Sequence, residues 1–199
     1  MKSKMMLAAV AFMVCSAGSA FAAGPYVSAA GGVSILHDND VKVSGVGTVT
    51  ANYDTGYGMS IAAGYDFQPV RVEFDFGYKS TKLNKLTGPG GSAKIDLDTN
   101  VMSYMVNGFF DFKNSTIVTP FVGAGVGLLN GEFKQNGYSV DANAFGYQFI
   151  VGTAFNLNKN FAIDLSYRFQ GAGGDFSKDG VDVAYTSSNI FAGVRYTFN

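Results

Sequence analysis

The stretch that decides the fold is VRVEFDFGYK, residues 70–79, in which apolar and polar residues alternate. The first set is Val70, Val72, Phe74, Phe76 and Tyr78, and the second is Arg71, Glu73, Asp75, Gly77 and Lys79. Because successive side chains of a strand point to opposite faces, the stretch predicts a β-strand with one apolar and one polar face. In a soluble sheet the apolar face would cover a core, whereas in a membrane barrel it would face lipid. The stretch alone leaves both alternatives open.

The composition favours a protein made of many strands. Apolar residues make up 47% of the chain and charged residues 15%, whereas soluble domains have roughly 25% charged residues. The chain has 26 glycines, 18 phenylalanines and 11 tyrosines but no tryptophan. Its 199 residues predict one domain. A net charge of −1 without a basic patch argues against nucleic acid as a partner.

The chain begins with the organisation of a secretory signal peptide. Lys2 and Lys4 precede an apolar stretch too short to span a bilayer, and the sequence Ala-Phe-Ala follows as a cleavage site. We expect cleavage after Ala22, so that residues 1–22 are a signal peptide and residues 23–199 form the exported domain.

The single cysteine, Cys15, would leave with this signal peptide. A lipoprotein would instead use it as the acylated residue, but Met13 and Val14 lack the small residue expected just before such a cysteine. The exported domain is therefore expected to have neither disulfides nor thiol chemistry.

Eight strand-like segments follow, and each approaches or exceeds the 9–11 residues that a tilted strand needs to cross a bilayer. They cover residues 25–36, 55–67, 70–80, 98–112, 117–130, 143–157, 160–170 and 187–198. Long polar connections at 37–54, 81–97, 131–142 and 171–186 alternate with short ones at 68–69, 113–116 and 158–159. This alternation predicts an eight-stranded antiparallel up-and-down transmembrane β-barrel, with four long, mobile loops at one end.

The residues on the two sides of these strands indicate which side faces lipid. One side carries large apolar residues such as Ile61, Phe149 and Ile163, and the other carries mainly glycine, serine and polar residues. Nearly every lysine of the exported chain lies in a connection or at a strand end, as Lys79 does. An eight-stranded barrel has an interior just wide enough for side chains to fill, so five large residues per strand would overfill it. We therefore expect the large residues to face lipid, where an arginine would cost about 2–4 kcal/mol.

The polar side predicts a network of charged and amide groups inside the barrel. Its members are Arg71, Glu73, Asp75, Asn107, Gln148, Asp164, Arg168 and Arg195. A buried charge needs a partner, so we expect a structural network in which Glu73 pairs with an arginine of a neighbouring strand. A proton or ion pathway is the alternative.

Two further motifs have both a functional and a structural explanation. His37, with Asp38 and Asp40, could form a metal or catalytic site, but Ser34 is the only serine near it in sequence and a solvated loop tip is expected. GAGVG at 123–127 is similar to a phosphate-binding loop but lies within a predicted strand, where glycines serve close packing. We expect no catalytic residues, no metal and no cofactor. Asn114-Ser115-Thr116 also matches a glycosylation acceptor, but it lies in a predicted tight turn. We therefore interpret these residues as turn formers.

Five segments resemble small eight-stranded outer-membrane barrels of the OmpA, OmpX and opacity-protein type. They are YMVNGFFDF (104–112), TPFVGAGVGLL (119–129), GYQFIVGTAFNL (146–157), FAIDLSYRF (161–169) and NIFAGVRYTF (189–198). The resemblance implies residence in the outer membrane of a Gram-negative bacterium, contact with its lipid and lipopolysaccharide, and insertion by the barrel-assembly machinery. That machinery reads a terminal aromatic residue, whereas Phe198 is penultimate here.

The resemblance and the four loops together predict a structural and surface-interaction role without enzyme activity. The loops would bind host, phage or neighbouring-cell ligands. One alternative is a narrow pore for ions or small solutes, and another is a lipid-modifying enzyme.

Overall fold

The computed structural model describes residues 24–37, 39–43, 47–53, 55–88, 91–135, 138–173, 176–178, 181–183 and 185–198. The strands are β1 (Gly24–Leu36), β2 (Asn39–Val43), β3 (Gly47–Tyr53), β4 (Thr55–Asp66), β5 (Val70–Gly88), β6 (Gly91–Asp111), β7 (Val118–Gln135), β8 (Tyr138–Asn156), β9 (Phe161–Ala172), β10 (Phe176–Lys178), β11 (Val181–Val183) and β12 (Thr186–Thr197). Within these residues, no helix is long and apolar enough to span a membrane.

Eight of the strands close into a ring in the order β1, β4, β5, β6, β7, β8, β9, β12, and every neighbouring pair is antiparallel. The ring closes where β12 returns to β1, with Tyr26 paired to Thr197 and Leu36 paired to Ser187. Because the ring is closed, every barrel strand has two neighbours with which to pair its backbone N–H and C=O groups. Strands can cross the water-free core of a bilayer only when these groups are paired. The predicted fold is confirmed. We call its two ends the turn end, with the short connections, and the loop end.

The connection predicted at 81–97 is mostly strand and not a loop. The β5–β6 ladder continues through Leu83 paired with Leu97 to Gly88 paired with Gly91. The connection at 131–142 is likewise strand up to Gln135 and again from Tyr138. The expectation of long loops is therefore wrong for these described residues. Polar composition suggested loops, but a hairpin extending beyond the membrane can be polar on both faces and still satisfy its backbone through pairing.

The other two long connections also contain strands. The first forms the β2–β3 hairpin and the last forms the β10–β11 hairpin. β3 pairs with the upper part of β5, and β11 pairs with β2, with Val183 opposite Val41. We call β2, β3, β10 and β11 the loop-end sheet. It extends the barrel wall at β5.

The faces of the barrel strands follow the predicted alternation. Phe74 is 42% exposed on the outside, whereas Arg71 is 2% exposed inside. Large apolar residues cover the outside on every barrel strand, among them Val27, Ile61, Val106, Val126, Phe149, Ile163 and Val194. The outer face is therefore the apolar one, as a membrane barrel requires.

Aromatic rings pair on the outer face at the turn end. Ring centroids lie 4.7 Å apart in Tyr65 and Phe67, and 5.2 Å apart in Phe110 and Phe112. The ring of Tyr196, at the end of β12, has its centroid 4.9 Å from that of Phe198. Such rings suit the boundary between lipid and water.

Two apolar clusters fill the interior on either side of its polar middle. The loop-end cluster contains Leu36, Val101, Met105, Leu129 and Tyr185, and the turn-end cluster contains Phe109, Phe121, Ile150 and Ala154. The sequence predicted small and polar residues inside, so these large apolar side chains were missed. These large side chains fit because glycines face them or lie beside them. Their presence agrees with the packed core that a narrow barrel has.

Candidate functional site

The polar interior begins at the turn end with a buried ion pair. Arg71 Nε and Nη2 donate to the two carboxylate oxygens of Asp111, over 2.9 and 3.0 Å. The guanidinium carbon lies 4.6 Å from the ring centroid of Phe109 and 5.2 Å from that of Phe121. A two-pronged bond to carboxylate with aromatic stacking fixes the position of this arginine. Asp111 was absent from the predicted set because it lies at a predicted strand end.

Glu73 is held by uncharged donors. The Tyr26 hydroxyl donates to one carboxylate oxygen over 2.9 Å, and Asn107 Nδ2 donates to the other over 3.1 Å. Gln148 then donates to Asn107 Oδ1 over 2.6 Å. Among the described residues, the ion pairs of Arg71, Arg168 and Arg195 go to other carboxylates. The predicted pairing of Glu73 with an arginine is wrong, because the register places Asn107 directly opposite Glu73.

The other two arginines pair with aspartates of the predicted set. Arg168 Nη1 donates to Asp75 Oδ2 over 3.1 Å, which joins β9 to β5 across the lumen. Arg195 Nη2 donates to Asp164 Oδ1 over 3.2 Å between the neighbouring strands β12 and β9. All eight residues therefore lie on the interior side, in two ion pairs, one hydrogen-bonded chain and the Arg71–Asp111 pair.

Lys79 is a buried cation that sequence reasoning placed at a strand end. Its Nζ donates to Gln170 Oε1 over 2.7 Å and to Ser187 Oγ over 3.2 Å. It also lies 3.4 Å from the hydroxyl of Tyr185, whose pKa burial raises to about 12. Three polar groups thus hold the ammonium just beside the loop-end cluster. Lys79 lies an even number of positions after Arg71 on β5, so both side chains point to the same face. This alternation was the sequence signal that Lys79 is buried.

Two small cavities lie between these side chains. A cavity of about 30 Å³ is bordered by Arg71, Glu73, Asp164 and Arg168, and another of about 10 Å³ lies beside Lys79. The first volume suits a single water molecule. The described residues contain no group of three or more side chains able to hold a metal ion.

A second polar group lies outside, at the loop end of the barrel wall. His37 Nε2 is 2.9 Å from Ser188 Oγ, and the Tyr167 hydroxyl is 2.8 Å from the same oxygen. We call His37, Ser188 and Tyr167 the rim trio. Ser34, the serine nearest in sequence, is buried inside at 1% exposure and is not the partner. The β1–β12 register brings Ser188 to this place, which spacing along the chain does not reveal.

His37 is exposed, as expected, but it belongs to the barrel wall and not to a loop tip. Its backbone N–H donates to the Thr186 carbonyl over 3.0 Å. The side chains of Asp38 and Asp40 lie outside the described residues. A serine within hydrogen-bond distance of a histidine is the core of a nucleophilic site, but such a site also needs a group that orients the histidine. No such group contacts His37 among the described residues.

The remaining motifs have structural explanations, as predicted. The GAGVG glycines lie inside β7, and a Cβ at Gly125 would overlap the Asn107 amide. Asn114 Oδ1 accepts bonds from the N–H of Thr116 over 2.8 Å and from its hydroxyl over 2.6 Å, which is an Asx turn.

Comparison with known proteins places this geometry among outer-membrane barrels. A family model described as "Outer membrane protein beta-barrel domain" matches residues 6–198. Outer membrane protein PagN of Salmonella typhimurium is 27% identical, over 88% of this chain and 90% of its own. "Putative adhesin RC1281" of Rickettsia conorii is 26% identical, over 72% of this chain and 68% of its own. The crystal structure of Neisserial surface protein A shares the fold with a TM-score of 0.62 at 22% identity, covering 89% of this chain and 100% of that one.

Proposed function

Since the chain belongs to the outer membrane protein beta-barrel domain family, we propose that it is a surface-recognition protein whose loop-end sheet binds ligands on other cells. The barrel lies in the outer membrane of a Gram-negative bacterium, and its apolar outer face contacts lipid. The loop end is extracellular, because barrels of this kind have short periplasmic turns and longer extracellular connections.

The observation that carries this proposal is the pairing between connections. Through β11–β2 and β3–β5, the first and last connections join the β5–β6 hairpin in one hydrogen-bonded sheet. A preformed surface binds at a lower entropy cost than separate flexible loops. The relative named as an adhesin supports the same role.

The interior network acts as scaffold in this proposal, and the protein is not an enzyme. Its charged groups are engaged with one another and with amides and hydroxyls, and the two apolar clusters lie above and below them. The pore alternative would require ions or solutes to pass both apolar clusters. Among the residues that the structure describes, none supplies the rim trio with the orienting group that a lipid-modifying enzyme would need.

Further partners belong to the proposal. Lipopolysaccharide would surround the loop end, and the barrel-assembly machinery would insert the chain by its last strand, β12, with Tyr196 and Phe198 as aromatic signals. Residues 1–22, which lie outside the described ranges, are proposed as the export signal. Intact mass of the purified protein should correspond to a chain that begins at Ala23.

The test replaces the two hairpins of the loop-end sheet, residues 39–53 and 176–183, by short Asn-Gly turns. Non-adherent bacteria would display the variants, and their binding to cultured cells would be counted. We expect binding to fall to the level of empty cells, while heat-modifiable gel mobility shows an intact barrel. The control is a change of the periplasmic turn at 113–116. Unchanged binding after both replacements would disprove the recognition role.

A further inference from the structure

The rim trio is a polar site on an otherwise apolar outer wall. Tyr167 is 43% exposed, and its apolar neighbours Ile35 and Ile190 are 44% and 51% exposed. His37 directly follows β1, and Ser188 and Tyr167 lie on β12 and β9, the next two strands of the ring, since Ser188 is paired with Ile35 on one side and with Phe169 on the other. With the loop end extracellular, as proposed above, the trio lies at the outer end of this apolar wall, where lipid headgroups are expected.

The bonds inside the trio leave hydrogen-bonding capacity at both of its ends. Ser188 Oγ has one hydrogen and contacts both His37 Nε2 and the Tyr167 hydroxyl. When the imidazole is protonated, it donates to Ser188, the serine donates to Tyr167, and the phenol hydrogen is available to a ligand. The second imidazole N–H is then a further donor. In this state the trio carries a positive charge and presents donors, which suits an anion.

Phosphate monoesters fit this arrangement because they combine negative charge with three acceptor oxygens. The exposed Ile35 and Ile190 directly below provide an apolar surface for acyl chains. We propose that His37, Ser188 and Tyr167 form a binding site for the phosphorylated sugar headgroup of an outer-leaflet lipid. The site depends on the barrel's membrane location and not on the proposed recognition role.

The test uses the fact that His37 is the only histidine of the chain. Untagged mature protein, refolded in phosphatidylcholine bicelles with a ¹⁵N-labelled imidazole, gives ring-nitrogen signals from a single histidine. It would be titrated with diphosphorylated lipid A, with dephosphorylated lipid A and with inorganic phosphate. We expect a saturable shift with diphosphorylated lipid A only.

Variants identify the side chains that bind. Ser188→Ala and Tyr167→Phe should each weaken the apparent affinity by about tenfold, as loss of a bond to a charged group does. Tyr78→Phe is the matched control, because Tyr78 donates to Asn100 over 3.0 Å on β5 and β6, away from the trio. Folding is checked by heat-modifiable mobility.

Three results would overturn the proposal. The first is an equal response to dephosphorylated lipid A or to inorganic phosphate. The second is an unchanged affinity in both Ser188→Ala and Tyr167→Phe. The third is covalent labelling of Ser188 by a fluorophosphonate, which would assign it as a nucleophile.

Discussion

Arg71 shows at the scale of a single residue how this barrel tolerates charge in its core. Its guanidinium is bonded to both oxygens of Asp111 and is enclosed by the rings of Phe109 and Phe121. Breaking such a buried pair is costly because the remaining charge has no water to solvate it. Asp111 depends on Arg71 in the same way.

Arg71→Met should lower the free energy of unfolding by about 3–5 kcal/mol, since it leaves Asp111 buried without its main partner. Urea-unfolding midpoints in lipid vesicles measure the loss. The matched control is Lys113→Met, because Lys113 is 3.8 Å from the same carboxylate but 44% exposed. That change should cost less than about 1 kcal/mol. Equal losses in the two variants would show that burial does not decide the strength of these pairs.

Tyr26 and Glu73 should be energetically coupled. Tyr26→Phe removes the hydroxyl that donates to Glu73, and a buried acceptor left without its donor costs about 1–3 kcal/mol. In a Glu73→Ala background the same change should cost at least about 1 kcal/mol less. A double-mutant cycle on unfolding midpoints measures this difference. Strict additivity would mean that the bond contributes nothing to stability.

At the scale of elements, close approach between strands restricts the residues of β7. Gly125 lies opposite Asn107, and a Cβ there would meet the amide that links Glu73 to Gln148. Gly108, one position along β6, faces outward, and a Cβ added there would have no heavy atom within 4 Å. A side chain at Gly125 should therefore disturb the barrel, whereas one at Gly108 should be tolerated.

Gly125→Ala should destabilise the barrel by about 1–3 kcal/mol, because overpacking displaces Asn107. Gly108→Ala should change stability by less than about 0.5 kcal/mol, as surface substitutions do. Unfolding midpoints in vesicles compare the two. A neutral Gly125→Ala would show that the network can shift to admit a methyl group.

The loop-end sheet should depend on its inner strand β2. Val41 is paired with Val49 on one side and with Val183 on the other, so a proline there removes a ladder bond. Val41→Pro should make the extracellular part more sensitive to proteinase K on intact cells while the barrel stays folded. Ser177→Pro in β10 is the control, since β10 ends the sheet. Equal protection of Val41→Pro and the parent protein would disprove the pairing.

At the scale of the whole molecule, apolar side chains fill both ends of the barrel interior. The polar middle lies between the loop-end and turn-end clusters, and two cavities within it have volumes of about 30 and 10 Å³.

The parent protein in planar bilayers should therefore give no steady single-channel steps. Removing bulk from both clusters at once, with Met105→Ala, Leu129→Ala, Phe109→Ala and Phe121→Ala, should produce steps if the variant folds, as heat-modifiable mobility would show. Regular steps from the parent protein would favour the pore.

The sequence predicted the barrel strands because the period of a strand is two, and each residue's face follows from its position alone. The inward position of Arg71 and the outward position of Phe74 were thus both predictable. The pairing of connections was not, since polar residues suit a solvated ladder as well as a loop.

What the sequence determined by itself was the number of barrel strands, the membrane-facing side and most of the interior charges, because these depend on local alternation. Tertiary structure alone decided which groups meet: Asp111 with Arg71, Tyr26 with Glu73, and Ser188 with His37. These contacts depend on the register between strands and on closure of the ring, which bring together residues far apart in the chain. A shift of one residue would send each side chain to the other face.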